Sequence, residues 1–435
     1  MRLAPNIGLL PLLAALCIGP SAAIADPVVP PFYQSVMTMK AEGRLGELIK
    51  QEKIDTPVAG AQAWRIAYIS SDVAGNKTIA TGIVVAPTGD APAGGRPVIS
   101  WSHGTTGTAQ NCSPSQVLSP ARPLNLYFLV GGDSYTDYGL PSLEEFIKEG
   151  YVVVGTDYQG LGGGGRHQYA VANSNGRDAI NIVRAIGAIK EVGAGKKAVA
   201  IGWSQGGGST LGAASQPEYI SQTGTALDGI EFVGFVAMAP NDIAVDTPDT
   251  FDDATAKTFI TQFAKKFSSN NFDFAHFSMN LWGIQAAYPD KLKMTDIFTD
   301  DGAKALNEIY YNKCIHPSAD TINYTYGTTY ETLVRPDLQN TLAWAQALKD
   351  ISANPTVKPS APVKIYWGNH DTAMPPVMGE IYRKKVCAIG GNVGRMELPG
   401  DQTHFSTPGV SAQFYLPWIK DRFAGKPADN GCATN

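Results

Sequence analysis

A serine between glycines, Gly202-Trp203-Ser204-Gln205-Gly206, is the part of this chain best suited to nucleophilic chemistry. An apolar run, Ala198-Val199-Ala200-Ile201, precedes it, and the small residues Gly207 and Gly208 follow. That pattern predicts a buried strand turning sharply into a helix, with the serine hydroxyl projecting from the turn. Both glycines are needed because a Cβ would meet neighbouring backbone in so tight a bend. The pentapeptide alone carries little weight. With 46 glycines in the chain, chance supplies it on the order of a few tenths of a time. A serine hydroxyl is also a poor nucleophile at neutral pH. It needs a base beside it, and the base needs a group to fix its tautomer.

Those partners can be sought in the order nucleophile, acid, base. Four histidines follow Ser204: His276, His316, His370 and His404. His404 lies in Gly400-Asp401-Gln402-Thr403-His404-Phe405, a loop between the last predicted strand and the last predicted helix, where a base is expected. The acid belongs just after the preceding strand. There stands Gly368-Asn369-His370-Asp371-Thr372, and Asp371 is the choice. Asp401 is the alternative acid, read as an exposed turn residue. The remaining need is a pair of backbone N–H donors for a developing oxyanion. Gln205, next to the nucleophile, supplies one. The other is expected from Trp101-Ser102-His103-Gly104-Thr105-Thr106-Gly107, at Thr105 or alternatively Thr106, with His103 holding the loop. Asp157-Tyr158-Gln159-Gly160 follows another strand, so Tyr158 is expected on a substrate-side loop. The glycine run 162 to 165 is read as mobile. It is not a phosphate loop, because no Lys-Ser/Thr follows it.

These residues need a sheet to hold them. Strands are expected at Trp64 to Ser70, Ile79 to Ala86, Pro97 to Trp101, Tyr151 to Thr156, Ala198 to Ile201 and Phe232 to Ala239. Two more are expected at Val363 to Trp367 and Arg395 to Leu398. Helices are expected near residues 177 to 192, after Ser204, near 379 to 389 and from 410 to 423. Residues 26 to about 60 read as an irregular arm. Between 240 and about 360 strand signals stop and helical patterns such as Asp253 to Ser268 take over. The organisation expected is therefore a signal peptide over 1–25, a first core segment over 26–239, a helical cap or lid insertion over 240–360, and a second core segment over 361–435. The fold class is α/β: a mostly parallel central sheet flanked by helices, with one long insertion. The insertion is rich in aromatics, Phe259, Phe263, Phe267, Phe277 and Trp282 among them. Most are expected to form its own core, and some to build an apolar acyl or aromatic pocket.

Composition narrows the function. The net charge is -5 and the pI near 5.7, so there is no basic surplus to bind nucleic acid. Charged residues are 17% and apolar residues 44% of the 435, which suits a large core. Arg2, the apolar run Leu9 to Ile18 and Ala23-Ile24-Ala25 match an export signal cleaved near Ala25, which places the mature protein in the periplasm or outside the cell. Cys17 follows Leu16 rather than the small residue a lipidation site has, which argues against a lipid anchor. The remaining cysteines are Cys112, Cys314, Cys387 and Cys432, an even number that suggests two disulfides with three pairings open. No Cys-x-x-Cys or His-x-x-x-His occurs, so neither a metal nor a cofactor is implied.

Taken together, the His103-Gly104-Thr105-Thr106-Gly107 loop with Asn111-Cys112-Ser113-Pro114-Ser115, the Asp157-Tyr158-Gln159-Gly160 turn, the Gly202 to Gly207 motif and the Asp371 and His404 loops resemble the secretory lipase family of α/β-hydrolases. The resemblance spans nearly the whole mature chain. It implies ester hydrolysis through an acyl-enzyme without a cofactor, and pairings of Cys112 with Cys314 and Cys387 with Cys432. The substrate expected is a small-molecule or lipid ester, with transient contact to a lipid or polymer interface. Rival readings are a polyester hydrolase or peptidase on the same machinery, and a non-catalytic binding protein of the same fold. Since a base histidine acts only while neutral, activity should fall in acid.

Overall fold

The computed structural model describes residues 28–433, apart from 242–247, 249, 269, 327–329 and 354. The export signal, its cleavage near Ala25 and Cys17 lie outside the described residues, as does part of the start of the expected insertion.

Among the described residues nine strands form one sheet: β1 Leu48–Ile54, β2 Ala61–Ser71, β3 Lys77–Pro87, β4 Arg96–Ser102, β5 Val152–Gln159, β6 Ala194–Trp203, β7 Glu231–Met238, β8 Val363–Trp367 and β9 Val393–Glu397, in the order β1-β2-β3-β5-β4-β6-β7-β8-β9. From β5 to β9 all pairings are parallel, while β1, β2 and β3 add an antiparallel edge. The fold is that of an α/β-hydrolase. Parallel strands covered on both faces bury every side chain, so the start of β5 and the end of β6 read as continuous apolar runs. The helices Ala172–Ala185 and Gln205–Ala214 cover one face and Thr407–Phe423 the other. The order reverses at β4, whose chain goes to β5 on one side and returns to β6 on the other. A crevice therefore opens between the carboxyl ends of β4 and β6, the usual ligand position in open sheets.

The stretch before residue 60 is not the irregular arm expected. It holds a short helix, Pro31–Met37, and the edge strand β1. Phe32, Tyr33 and Val36 pack against Ala67, Ile69 and Ile79 of β2 and β3. β1 carries Lys50, Glu52 and Lys53, charges that discourage pairing at a free edge and that also erase the alternation expected of a strand.

Among the described residues between β7 and β8 lie five longer helices: Asp253–Lys266, Asn271–Ala287, Asp300–Asn312, Ile315–Tyr326 and Thr341–Ile351. Asp252 caps the first through Thr255 N, and Asn270 caps the second through Asp273 N at 2.8 Å each. The block has its own core, including Phe274, Trp282, Leu306, Tyr310 and Trp344. Disulfides join Cys112 to Cys314 and Cys387 to Cys432, the pairings the resemblance implies. The first ties the loop after β4 to the helical block, aided by a bond from Thr108 Oγ1 to Tyr310 O at 2.7 Å. Gly107 passes over this bridge with φ +136°, where a Cβ would stand 2.6 Å from the Cys314 Cα.

Candidate active site

Ser204 sits in the turn between β6 and the helix Gln205–Ala214 with φ 58° and ψ −120°, a conformation that costs a non-glycine residue about 1–3 kcal/mol. The surroundings hold it there. Its N–H donates to Met238 O at 3.0 Å, and its carbonyl accepts from Gly208 N at 3.1 Å and Asn241 N at 2.9 Å. A Cβ on Gly202 would meet the Gly206 carbonyl, and one on Gly206 would meet the Ser102 carbonyl. The two glycines let strand, turn and helix close on one another, as expected.

His404 and Asp371 come together from the loops after β9 and β8. His404 Nδ1 lies 2.8 Å from Asp371 Oδ2, and both side chains are nearly or wholly buried. A carboxylate only accepts, so Nδ1 carries the proton and Nε2 keeps its lone pair. The other carboxylate oxygen accepts from Ala373 N at 2.9 Å and Met374 N at 2.7 Å. Asp401, the alternative acid, instead faces His370 at 3.3 Å, and both are exposed. Trp203 couples this pair to the nucleophile turn. Its indole Nε1 donates to His404 O at 3.0 Å and its ring lies 4.9 Å from the imidazole.

The loop after β4 flanks Ser204 on the other side. A Cβ on Gly104 would be 3.5 Å from the Ser204 Cβ. Thr105 is half-buried, and its Oγ1 lies 2.8 Å from the Tyr169 hydroxyl. Thr106 is fully buried, and its carbonyl accepts from Ile315 N at 3.0 Å. His103 is buried and bonds Gly104 O at 2.6 Å, and burial lowers its pKa to about 4, so it holds the loop while neutral.

Tyr158 is not on the substrate side. It is fully buried behind the loop and donates to His103 O at 2.9 Å, a correction to the expectation. Its ring packs between His103 and His167, at 4.5 and 5.7 Å, which leaves it no open face. Asp157 beside it accepts from Ser115 N at 3.0 Å and from Thr81 Oγ1 at 2.7 Å, anchoring the far end of that loop. Nor is the glycine run free: Gln110 Oε1 accepts from both Gly162 N and Gly164 N at 3.0 Å.

Three contributors had no sequence signal. His167 Nδ1 donates to Gln159 O at 2.8 Å, which leaves Nε2 to accept from Gln205 Nε2 at 3.1 Å. Burial lowers the His167 pKa to about 3. Asn175 Oδ1 accepts from the same Gln205 amide at 3.2 Å. Tyr169, two residues beyond His167, holds Thr105. One short segment thus braces residues on both sides of Ser204, and nothing in its letters distinguishes it from an ordinary loop.

A cavity of about 310 Å³ opens between the helical block and the loop after β8. Phe259, Phe263, Phe267 and Phe277 line it with Tyr169 and Met374. Phe274 and Trp282 are buried in the block's core instead. His276 also lines the cavity, with Nδ1 bonded to Phe272 O at 2.8 Å and its pKa lowered by burial. His316 stacks on Tyr127 at 4.1 Å, and burial lowers its pKa to about 4. Among the described residues no group of three His, Cys, Asp or Glu could hold a metal ion.

The family model for secretory lipases matches residues 133–431. Lipase 6 of Candida albicans is 25% identical over 428 residues, covering 92% of this chain and 82% of its own. Among solved structures, lipase A of Candida antarctica in its closed state aligns with a TM-score of 0.66 and 19% identity, over 95% of this chain and 90% of that one. The rice cell wall degrading esterase LipA of Xanthomonas oryzae aligns with a TM-score of 0.63 and 16% identity, over 88% and 99% of the two chains.

Proposed function

The chain belongs to the secretory lipase family and is a carboxylic ester hydrolase, and from that premise we propose that Ser204, His404 and Asp371 form its catalytic triad. Ser204 Oγ attacks the ester carbonyl carbon while His404 Nε2 takes the hydroxyl proton. Asp371 fixes the imidazole and stabilises its charged form. The C–O bond to the alcohol breaks, and the alkoxide leaves with that proton as the alcohol. Water then attacks the acyl-enzyme with His404 again as base, releasing the acid and restoring Ser204. The backbone N–H groups of Gln205 and Thr105 hold the oxyanion. Gln205 stands at the first position of a ten-residue helix, where N–H groups lack intrahelical partners and the dipole favours negative charge. The fit of Thr105 rests on its place beside Ser204, and Tyr169 orders it.

The observation that carries this reading is the 2.8 Å bond between His404 and a fully buried, doubly supported Asp371, tied through Trp203 to the serine turn. The aromatic cavity suits the acyl part of apolar esters. The export signal near Ala25 and the family's secretory character support release from the cell, which N-terminal sequencing of the mature protein tests. A Ser204→Ala protein should lose on the order of 10⁶-fold in kcat on dissolved p-nitrophenyl butyrate. Near wild-type turnover by that variant, or no labelling of Ser204 by an organophosphonate, would sink the proposal. A panel of acyl chain lengths, amides and polyester film separates lipase and esterase from peptidase and polyesterase.

A further inference from the structure

Between Leu118 and Tyr135 the chain leaves large apolar side chains in water, close to His404. Tyr127, Phe128, Leu129 and Val130 are exposed in succession, Phe128 and Leu129 by 46% and 47% and Val130 fully. A single exposed leucine is ordinary, but a contiguous apolar tip beside a site marks a contact surface. The tip is built rather than loose. Leu129 N donates to Leu126 O at 3.1 Å and Gly132 N to Leu129 O at 2.8 Å. At its base, Asn125 and Tyr138 exchange backbone bonds at 2.8 and 3.1 Å, and Tyr127 N donates to Asp137 Oδ1 at 2.6 Å.

Two further observations say what would cover it. The first is charge. No charged residue lies between Arg122 and Asp133, and those two pair at 3.6 Å. Tyr138 closes the set, accepting from Arg122 at 3.2 Å and donating to Asp133 at 2.7 Å. Arg122 and Asp133 therefore balance one another at the rim, the Asp137 carboxyl beneath Tyr127 is buried, and the chain as a whole carries a net charge of -5. Anionic headgroups need a basic cluster, which this face lacks. A second copy would need about 800 Å² per partner, well beyond four side chains on a convex tip. The second observation is continuity with the site. The Phe128 ring packs 4.4 Å from Phe405, the residue after His404, and 4.5 Å from His316 of the helical block.

We propose that the Tyr127 to Val130 tip seats the protein on the surface of a neutral acylglycerol emulsion, placing aggregated ester beside His404. Leu129 and Val130 enter the oil, and Tyr127 keeps its hydroxyl at the water boundary. The proposal rests on the ester-hydrolase reading for its substrate, but its binding test needs no turnover.

The test uses the mature protein carrying Ser204→Ala, mixed with a triolein emulsion and recovered from the creamed droplets after centrifugation. It should partition onto the droplets, and adding Leu129→Ser with Val130→Ser should weaken partition at least tenfold. In the active protein, the same two serines should leave hydrolysis of dissolved p-nitrophenyl butyrate unchanged and slow emulsified triolein hydrolysis at least tenfold. Equal partition with and without the serines overturns the proposal. So does tighter binding to phosphatidylserine vesicles or polyester film than to triolein, a wild-type dimer that the serines dissociate while droplet binding persists, or loss of dissolved-ester turnover by the serine pair. Droplet binding that is lost with the serines, in a protein whose Ser204 takes no organophosphonate label, strikes the triad and supports the docking face.

Discussion

The carboxyl edge of the sheet and the helical block between β7 and β8 face one another across a cavity and are built on opposite principles. At the sheet edge, each functional group is fixed by named polar bonds. Asp371 uses both oxygens, and His404 is held at its ring and its carbonyl. The block offers rings: Phe259, Phe263, Phe267 and Phe277 around a cavity, with few directional contacts. Chemistry needs atoms placed within fractions of an ångström, and only short, saturated hydrogen-bond sets on rigid strands achieve that. Fitting an apolar acyl group needs volume, which packed rings supply and which tolerates change.

Substitutions should therefore hurt far more at the edge than in the block. Asp371→Asn keeps the shape but lets His404 adopt the wrong tautomer. By analogy with other buried triad aspartates it should lower kcat about 10⁴-fold, and a loss under tenfold, measured on a dissolved ester, would break the assignment. The seam between the regions is next. Replacing Cys112 and Cys314 together by serine removes a bridge between residues 202 apart and should cost about 2–5 kcal/mol in chemical denaturation. An unchanged midpoint would mean that Gly107, Thr108 and Ile315 hold the seam alone.

His167 tests the brace on the edge side. It stays neutral when folded down to a pKa of about 3, because burial outweighs its bond to Gln159 and His103 lies near, whereas the unfolded chain takes a proton below about 6.5. The unfolded state therefore binds more protons in that window, and stability falls as pH falls through it. His167→Gln should remove about 2 kcal/mol of the stability difference between pH 7 and pH 5. Denaturant midpoints at the two pH values check this, and an unchanged difference would refute it. The smallest effect is expected in the block. Phe263→Ala enlarges the cavity wall and should shift the preferred acyl length with less than a tenfold change in kcat on short esters. A loss as large as that of Asp371→Asn would erase the contrast between the regions.

The central strands were legible because strands buried on both faces carry apolar runs, Val152 to Val154 in β5 and Ala198 to Ile201 in β6 among them. β1 was not, because an edge strand is kept polar to stay unpaired. The residues proposed as the triad stand out in the sequence for a related reason: a strained turn needs glycines on both sides, and Asp371 and His404 sit just past recognisable strands. Tyr158 misled because its motif follows a strand like the others, while its ring packs between two buried histidines outside that motif.

What the sequence determined by itself is therefore the local part: the turn that strains Ser204, the strands that end at Asp371 and before His404, and the cysteines at hand for the bridges. Each follows from steric or periodic constraints within a few residues. The sequence favoured Asp371 over Asp401, and the tertiary structure bonds it to His404; the tertiary structure alone decided that His167, Asn175 and Tyr169 brace Gln205 and Thr105, and that Phe128 is half-exposed against Phe405. Those choices depend on which loops the sheet order brings side by side, and residues far apart in the chain carry no local mark of meeting.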